Sequence, residues 1–147
     1  MKLFEPLTVQ GMMFKNRIVM PPMLVGVGYR GQRARSYYGE RAKGGVAAIT
    51  VAGTSVDLFV SDEAWGQPGG LAAFAEGAHL LTETVHQAGA RIGVQLWYGN
   101  RFPAGAGEAD GRGVAVAPSP RGEMRALTIA EIEEIISRFA KGAVQAR

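Results

Sequence analysis

The sequence predicts an α/β protein built on a parallel sheet. Apolar periodicity switches along the chain between strand-like runs and amphipathic helices, in the order β-α-β-α-β-α. Such an order implies parallel strands joined by right-handed crossovers. The connections are also unequal. Helix-to-strand links are short, at Gly44–Gly45 and from Ala88 to Ala90, whereas the strand-to-helix loops 21–35, 53–70 and 98–127 are long. Long loops after strands gather at the C-terminal face of a parallel sheet, where α/β enzymes bind their ligands.

Each element follows from its residues. Arg17 to Met20 is a short β-branched run stopped by Pro21 and Pro22, which cannot donate to a ladder. Ser36 is placed to cap a helix over 37–43 that Gly44–Gly45 ends. Val46 to Ala52 is apolar on both faces, as in a strand covered on both sides. Leu71 to Gln87 carries Leu71, Phe74, Ala78, Leu81 and Val85 on one stripe, with Gly89 following as a C-cap. Arg91 to Trp97 alternates, with Ile92, Val94 and Leu96 on one face and Gly93, Gln95 and Trp97 on the other. From Thr128 to Arg147 the pattern is helical again, opened by the capping box Thr128-x-x-Glu131.

Composition excludes several classes. With 147 residues, one domain with a core is within reach. Cysteine is absent, which removes disulfides, thiolate nucleophiles, iron–sulfur clusters and cysteine-bound zinc. A net charge of +3 is weaker and more dispersed than a nucleic-acid-binding domain carries, so no nucleic-acid partner is expected. The opening residues lack the apolar core of a signal peptide, and no apolar run approaches a membrane span. A cytoplasmic protein without membrane contact is the default expectation.

Among the candidate constellations most have a plainer explanation. Gly26-x-Gly28-x-x-Gly31 has dinucleotide-fingerprint spacing, but prolines break the strand before it and the second strand ends in Ala52–Gly53 with no acidic residue. A glycine-rich loop is the better reading. His79 and His86 lie two helical turns apart, too far to share a metal, so no metal site is expected. Arg30, Arg33, Arg35, Arg41 and Lys43 read as a solvated face, and Asp57, Asp62 and Glu63 as unpaired loop carboxylates. Gln95 stands apart. A neutral amide near the C-terminal end of an otherwise apolar strand is either a satisfied interior polar group or a ligand contact, matching an edge that offers both a carbonyl and an N–H.

Several segments together resemble the old yellow enzyme family of FMN-dependent NAD(P)H oxidoreductases. The opening LFEPLTVQGMMFKNRIVMPPM is similar to that family's start, YYGERAKGGVAAITVAG to its first helix and second strand, and ETVHQAGARIGVQLWYGNR to its second helix and third strand. VAPSP followed by LTIAEIEEII matches what comes next. The 2,4-dienoyl-CoA-reductase-like branch is nearest. The resemblance implies an eight-stranded β/α (TIM) barrel, of which residues 1–147 form the first three β/α units of a single FMN-binding domain. It further implies hydride transfer from NAD(P)H through FMN to an activated alkene, with an enoyl thioester as the expectation from that branch's chemistry. Carried over, Pro22, Met23 and Leu24 take the flavin-contacting position after strand 1, Gly53 the small-residue position after strand 2, and Gln95 the amide that meets the flavin pyrimidine edge.

Three departures qualify the match. Leu24 stands where many members have Thr or Cys, Tyr98 where many have His, and Tyr29 lies too late in its loop to equate with a substrate tyrosine. The expected substrate-anion histidines, the flavin-facing arginine and the phosphate site of the late strands have no counterpart in these residues. The expectation is therefore an N-terminal portion, inactive alone, whose barrel is completed by further strands or a complementing chain. The alternative is a non-catalytic half-barrel scaffold.

Overall fold

The computed structural model describes residues 2–28, 31–56, 70–99, 101–102 and 113–147. The expectations placed on Tyr29, Arg30, Asp57, Asp62 and Glu63 lie outside these.

After a single 3-10 turn at Lys2–Phe4 the chain forms a hairpin that the periodicity does not announce. Strand β1 (Leu7–Val9) pairs antiparallel with β2 (Met12–Phe14) around Gln10 and Gly11. Both turn residues have positive φ, 46° and 82°, the backbone of a two-residue turn whose twist suits a hairpin. Beyond it come β3 (Val19–Met20), α1 (Gly31–Lys43), β4 (Ala48–Ser55), α2 (Gly70–Gln87), β5 (Arg91–Trp97) and, after a long connection, α3 (Ile129–Gln145). Strands β3, β4 and β5 form a parallel sheet in that order. The β/α alternation is as expected.

The core lies between this sheet and its helices. Ile49 and Val51 of β4 meet Ala34, Tyr38 and Ala42 of α1 and Leu81 and Val85 of α2, all buried. Leu81 and Val85 are members of the stripe read from the sequence. The other face of the sheet is not covered by any described residue in the same way: β4 alternates buried with half-buried positions, and Val19, Gly93, Gln95 and Trp97 are exposed. The expectation that β4 is buried on both faces is therefore not met among the described residues, whose helices pack on one side and leave the other face half-buried.

The boundaries differ in instructive ways. Helix α1 starts six residues earlier than the cap reading, at Gly31 rather than after Ser36, because Gln32, Arg33, Ala34 and Arg35 are good helix formers. Ser36 lies inside the helix, its Oγ accepting from Gln32 Nε2 at 3.2 Å. Strand β3 keeps only two residues of Arg17–Met20, since Arg17 N–H donates to Leu3 O at 2.9 Å and Ile18 N–H to Asn16 Oδ1 at 2.9 Å. Helix α2 ends as its glycine predicts. Gly89 N–H donates to His86 O and Ala90 N–H to Val85 O, and Gly89 takes φ 72°, a Schellman end. The connection 98–127, read as loop, holds a small second sheet: β6 (Arg101–Phe102) antiparallel to β7 (Val114–Ala117), itself parallel to β8 (Arg125–Ala126). Strands this short leave too little periodicity to read.

Helix α3 begins on the expected capping box. Glu131 N–H donates to Thr128 Oγ1, and Thr128 N–H to Glu131 Oε2 at 2.8 Å. Arg125 adds two bonds to the same carboxylate, at 2.8 and 2.5 Å, tying β8 to the helix. The guanidinium of Arg125, with the Thr128 N–H, holds the Glu131 carboxyl at about 2, well below the usual carboxylate value. The apolar stripe of α3 is incompletely covered: Ile132, Ile135 and Phe139 are half-buried, while Ile129 and Ile136 stay exposed.

The segment Lys15–Asn16 shows what the N-terminal resemblance does physically. Lys15 Nζ donates to Ala88 O at 3.1 Å, just past the C-terminus of α2, and Asn16 Nδ2 donates to Gly45 O at 2.8 Å, in the turn before β4. Both side chains thus bind the hairpin to the N-terminal ends of the strands, opposite the working face. Asn16 also fixes Ile18 N–H, so Asn16→Ala strips two partly buried backbone groups of their partner. We expect a loss of about 1–3 kcal/mol in a urea melt, with the midpoint lowered and the slope unchanged.

Candidate functional site at the C-terminal ends of the strands

The described polar chemistry of the uncovered face concentrates where β4 and β5 end. Their ladder runs in register from Ala48↔Arg91 to Val51↔Val94 and resumes at Thr54↔Leu96 and Ser55↔Trp97. Two residues of β4, Ala52 and Gly53, therefore oppose the single residue Gln95. This is a β-bulge, a device that re-aims side chains and recurs beside active sites. Its effect is specific. Thr54, past the bulge, is buried towards the helices opposite Leu96, and Gly53 falls on the open face with Gln95.

Strand β4 extends three residues beyond the Ala52 end expected for it, so Gly53 lies inside the strand and not in the loop after it. Its lack of a side chain has a local cause. A Cβ built on Gly53 would fall 2.6 Å from Trp97 Cδ1 and 2.9 Å from Trp97 Nε1, because the indole reaches back across the ladder to cover this residue. Gln95 is exposed on the same face, as the alternation of β5 predicts. Pro22, Met23 and Leu24 follow β3 directly, at the same end of the sheet. Pro22 is half-buried, and Leu24 is 94% exposed.

The structure thus brings Gly53 and Gln95 together and sets Pro22–Leu24 beyond the neighbouring strand. Trp97 was the residue sequence reasoning missed as part of the site. Its strand parity with Gln95 was legible, but its reach to Gly53 depends on the bulge. None of these side chains is a carboxylate, imidazole or amine. They can orient and enclose a planar ring, and they offer one amide edge to it, but they cannot exchange protons at neutral pH. Of the glycines of the fingerprint-like spacing, Gly26 and Gly28 lie in the connection before α1 with φ of 67° and 64°, in agreement with the loop reading, whereas Gly31, at φ 84°, opens the helix. His79 pairs with Glu83 at 3.3 Å on the surface of α2, and among the described residues no group of three potential ligands surrounds a metal position.

A face that offers an amide edge and, among the described residues named above, no acid or base suits chemistry carried by a cofactor. Comparison with known proteins gives the same direction. The sequence pattern of the NADH:flavin oxidoreductase / NADH oxidase family matches residues 2–147. The chain belongs to that family. An NADH oxidase of Thermoanaerobacter brockii is 35% identical over 99% of this chain, which spans 24% of that relative. The solved structure of morphinone reductase in complex with tetrahydroNAD superposes with a TM-score of 0.73 at 26% identity, over 98% of this chain and 46% of that one. An old yellow enzyme homologue from Zymomonas mobilis gives 0.67 at 27% identity, over 99% of this chain and 45% of that one. The chain spans less than half the length of each. Within the family the parallel sheet and its helices are the first β/α units of a (β/α)8 barrel, and the enzymes of this flavin oxidoreductase family work with FMN and take NAD(P)H as reductant.

Proposed function

We propose that residues 1–147 supply the flavin-facing first three strands of an NAD(P)H:flavin oxidoreductase of ene-reductase type. The observation that carries this is the bulge: it sets Gly53 and Gln95 opposite one another on the uncovered face, at the ligand end of the sheet. The residues fit a flavin. An exposed primary amide presents a donor and an acceptor, which is what a pyrimidine edge with alternating N–H and carbonyl groups needs. Pro22 and Met23 follow β3, across β4 from Gln95, and would offer apolar contacts to the ring.

FMN held here would supply the electron relay between NAD(P)H and an activated alkene. The work of this chain is to hold and orient. Gln95 would hold the ring through its amide edge, with Gly53 opposite it across the bulge. An enoyl thioester is the substrate class that the resemblance to the dienoyl reductases favours. The remaining strands, in the same polypeptide or in a complementing one, supply the flavin phosphate site and the acid.

The test joins residues 1–147 to the barrel remainder of the Thermoanaerobacter brockii NADH oxidase, in place of that relative's matching segment. The expected result is a yellow protein with stoichiometric FMN that oxidises NAD(P)H in the presence of an activated alkene. A folded, colourless chimera would support the half-barrel scaffold in its place.

Leu24 offers a further check. A hydrogen bond from residue 24 to the ring would stabilise the electron-rich reduced form, and leucine cannot make one. In the flavin-loaded chimera, Leu24→Thr should raise the flavin potential by roughly 20 mV, taking about 1 kcal/mol for the bond and a two-electron couple. Spectroelectrochemical titration reads the shift, and an unchanged potential would place residue 24 away from the ring.

A further inference from the structure

We propose that Trp97 is a positioning residue for the flavin amide Gln95, and that Gly53 is glycine to admit its indole and not to admit the cofactor. This rests on the flavin-site reading above. Gln95 faces the Ala52–Gly53 bulge across the ladder, and Trp97 pairs with Ser55, two residues further along β4. The indole nevertheless lies back against Gly53, with Cδ1, Nε1 and Cγ at 2.6, 2.9 and 3.2 Å from where a Cβ would be. It therefore occupies the cross-strand space beside Gln95 that any larger residue at 53 would fill.

Two physical consequences follow. A free glutamine side chain on an exposed strand samples many rotamers, and ordering it on binding costs entropy. An indole filling the neighbouring cross-strand space removes some of those rotamers beforehand, so less ordering is left for the ligand to impose. Conversely, the atoms closest to a Cβ at 53 belong to the root and five-membered ring of the indole, not to the far end of a flexible chain. A methyl group there cannot be accommodated by a small shift, so the whole ring must swing off the bulge. The reverse arrangement, in which Gly53 is small for the flavin's own sake, predicts that the indole is incidental.

A double-mutant cycle separates the two. In the FMN-binding chimera, Gly53→Ala should weaken FMN affinity about tenfold or more by displacing the indole. Adding Trp97→Ala to Gly53→Ala removes the obstruction, and the double variant should bind no more weakly than Trp97→Ala alone. If Gly53→Ala costs as much in the Trp97→Ala background as in the parent, the glycine serves the cofactor directly and the proposal is overturned. A parent chimera that binds no FMN would instead overturn the flavin-site reading. A second measurement needs no bound flavin and uses the flavin-free chimera. With every other tryptophan replaced by phenylalanine, the emission of Trp97 should move to the red in Gly53→Ala as the ring enters water. Unchanged emission would mean that the indole does not rest on Gly53, and the proposal fails.

Discussion

Purified alone, residues 1–147 will hold FMN poorly and will not oxidise NAD(P)H with an alkene at the rate of the chimera. A (β/α)8 barrel closes with eight strands, and three parallel strands cannot close. In this chain β3 and β5 are the two edges of their sheet, each leaving one side of its backbone N–H and C=O groups outside the ladder. The face that would turn inward exposes Val19 at 54% and Trp97 at 38%. Helix α3 exposes Ile129, Ile136 and Val144, and the N-terminal hairpin exposes Val9, Met12 and Met13. So much apolar surface, bordered by open strand edges, favours association over a monomeric native state. Flavin would also lack the phosphate site that barrels build after their late strands, which holds the ligand's only dianion. Gel filtration with absorbance at the flavin band decides the matter. A cooperatively unfolding monomer carrying one FMN per chain would refute the barrel-fragment reading outright.

What could be read from the sequence followed the physics of each signal. The Gly89 stop and the Thr128–Glu131 box are local, set by hydrogen bonds within one turn, and both appear where the residues place them. Strand β5 matched residue for residue because its alternation is strict over its whole length. The start of α1 was misplaced because Ser36 has the chemistry of a cap, yet the helix-forming residues before it outweigh that preference. The bulge at Ala52–Gly53 was beyond reach, since one strand's periodicity does not reveal the partner's count across a ladder. Hence Gln95 was legible as a candidate from its own strand, Gly53 as a candidate only by resemblance, and the seating of Trp97 on Gly53 not at all.

Gln95→Leu is the substitution with the largest expected effect at the site itself. Leucine is close to glutamine in volume, and residue 95 is exposed on the open face here, so the change leaves the packing of β5 on its helices untouched. What it removes is the one described side-chain amide at the ligand end of the strand. In the completed barrel the open face becomes interior, and a flavin pyrimidine edge left without its partner there pays the desolvation of unpaired polar atoms. That costs about 1–3 kcal/mol. The dissociation constant of FMN should rise by roughly 5- to 150-fold, by the conversion of 1.4 kcal/mol to each factor of ten. The melting temperature of the flavin-free chimera should stay within error of the parent, which separates a lost contact from a damaged fold. Fluorescence titration of the apoprotein with FMN measures the first quantity and a thermal melt the second. An affinity unchanged by Gln95→Leu would remove Gln95 from the flavin contact and return it to the role of an interior polar residue satisfied by its neighbours.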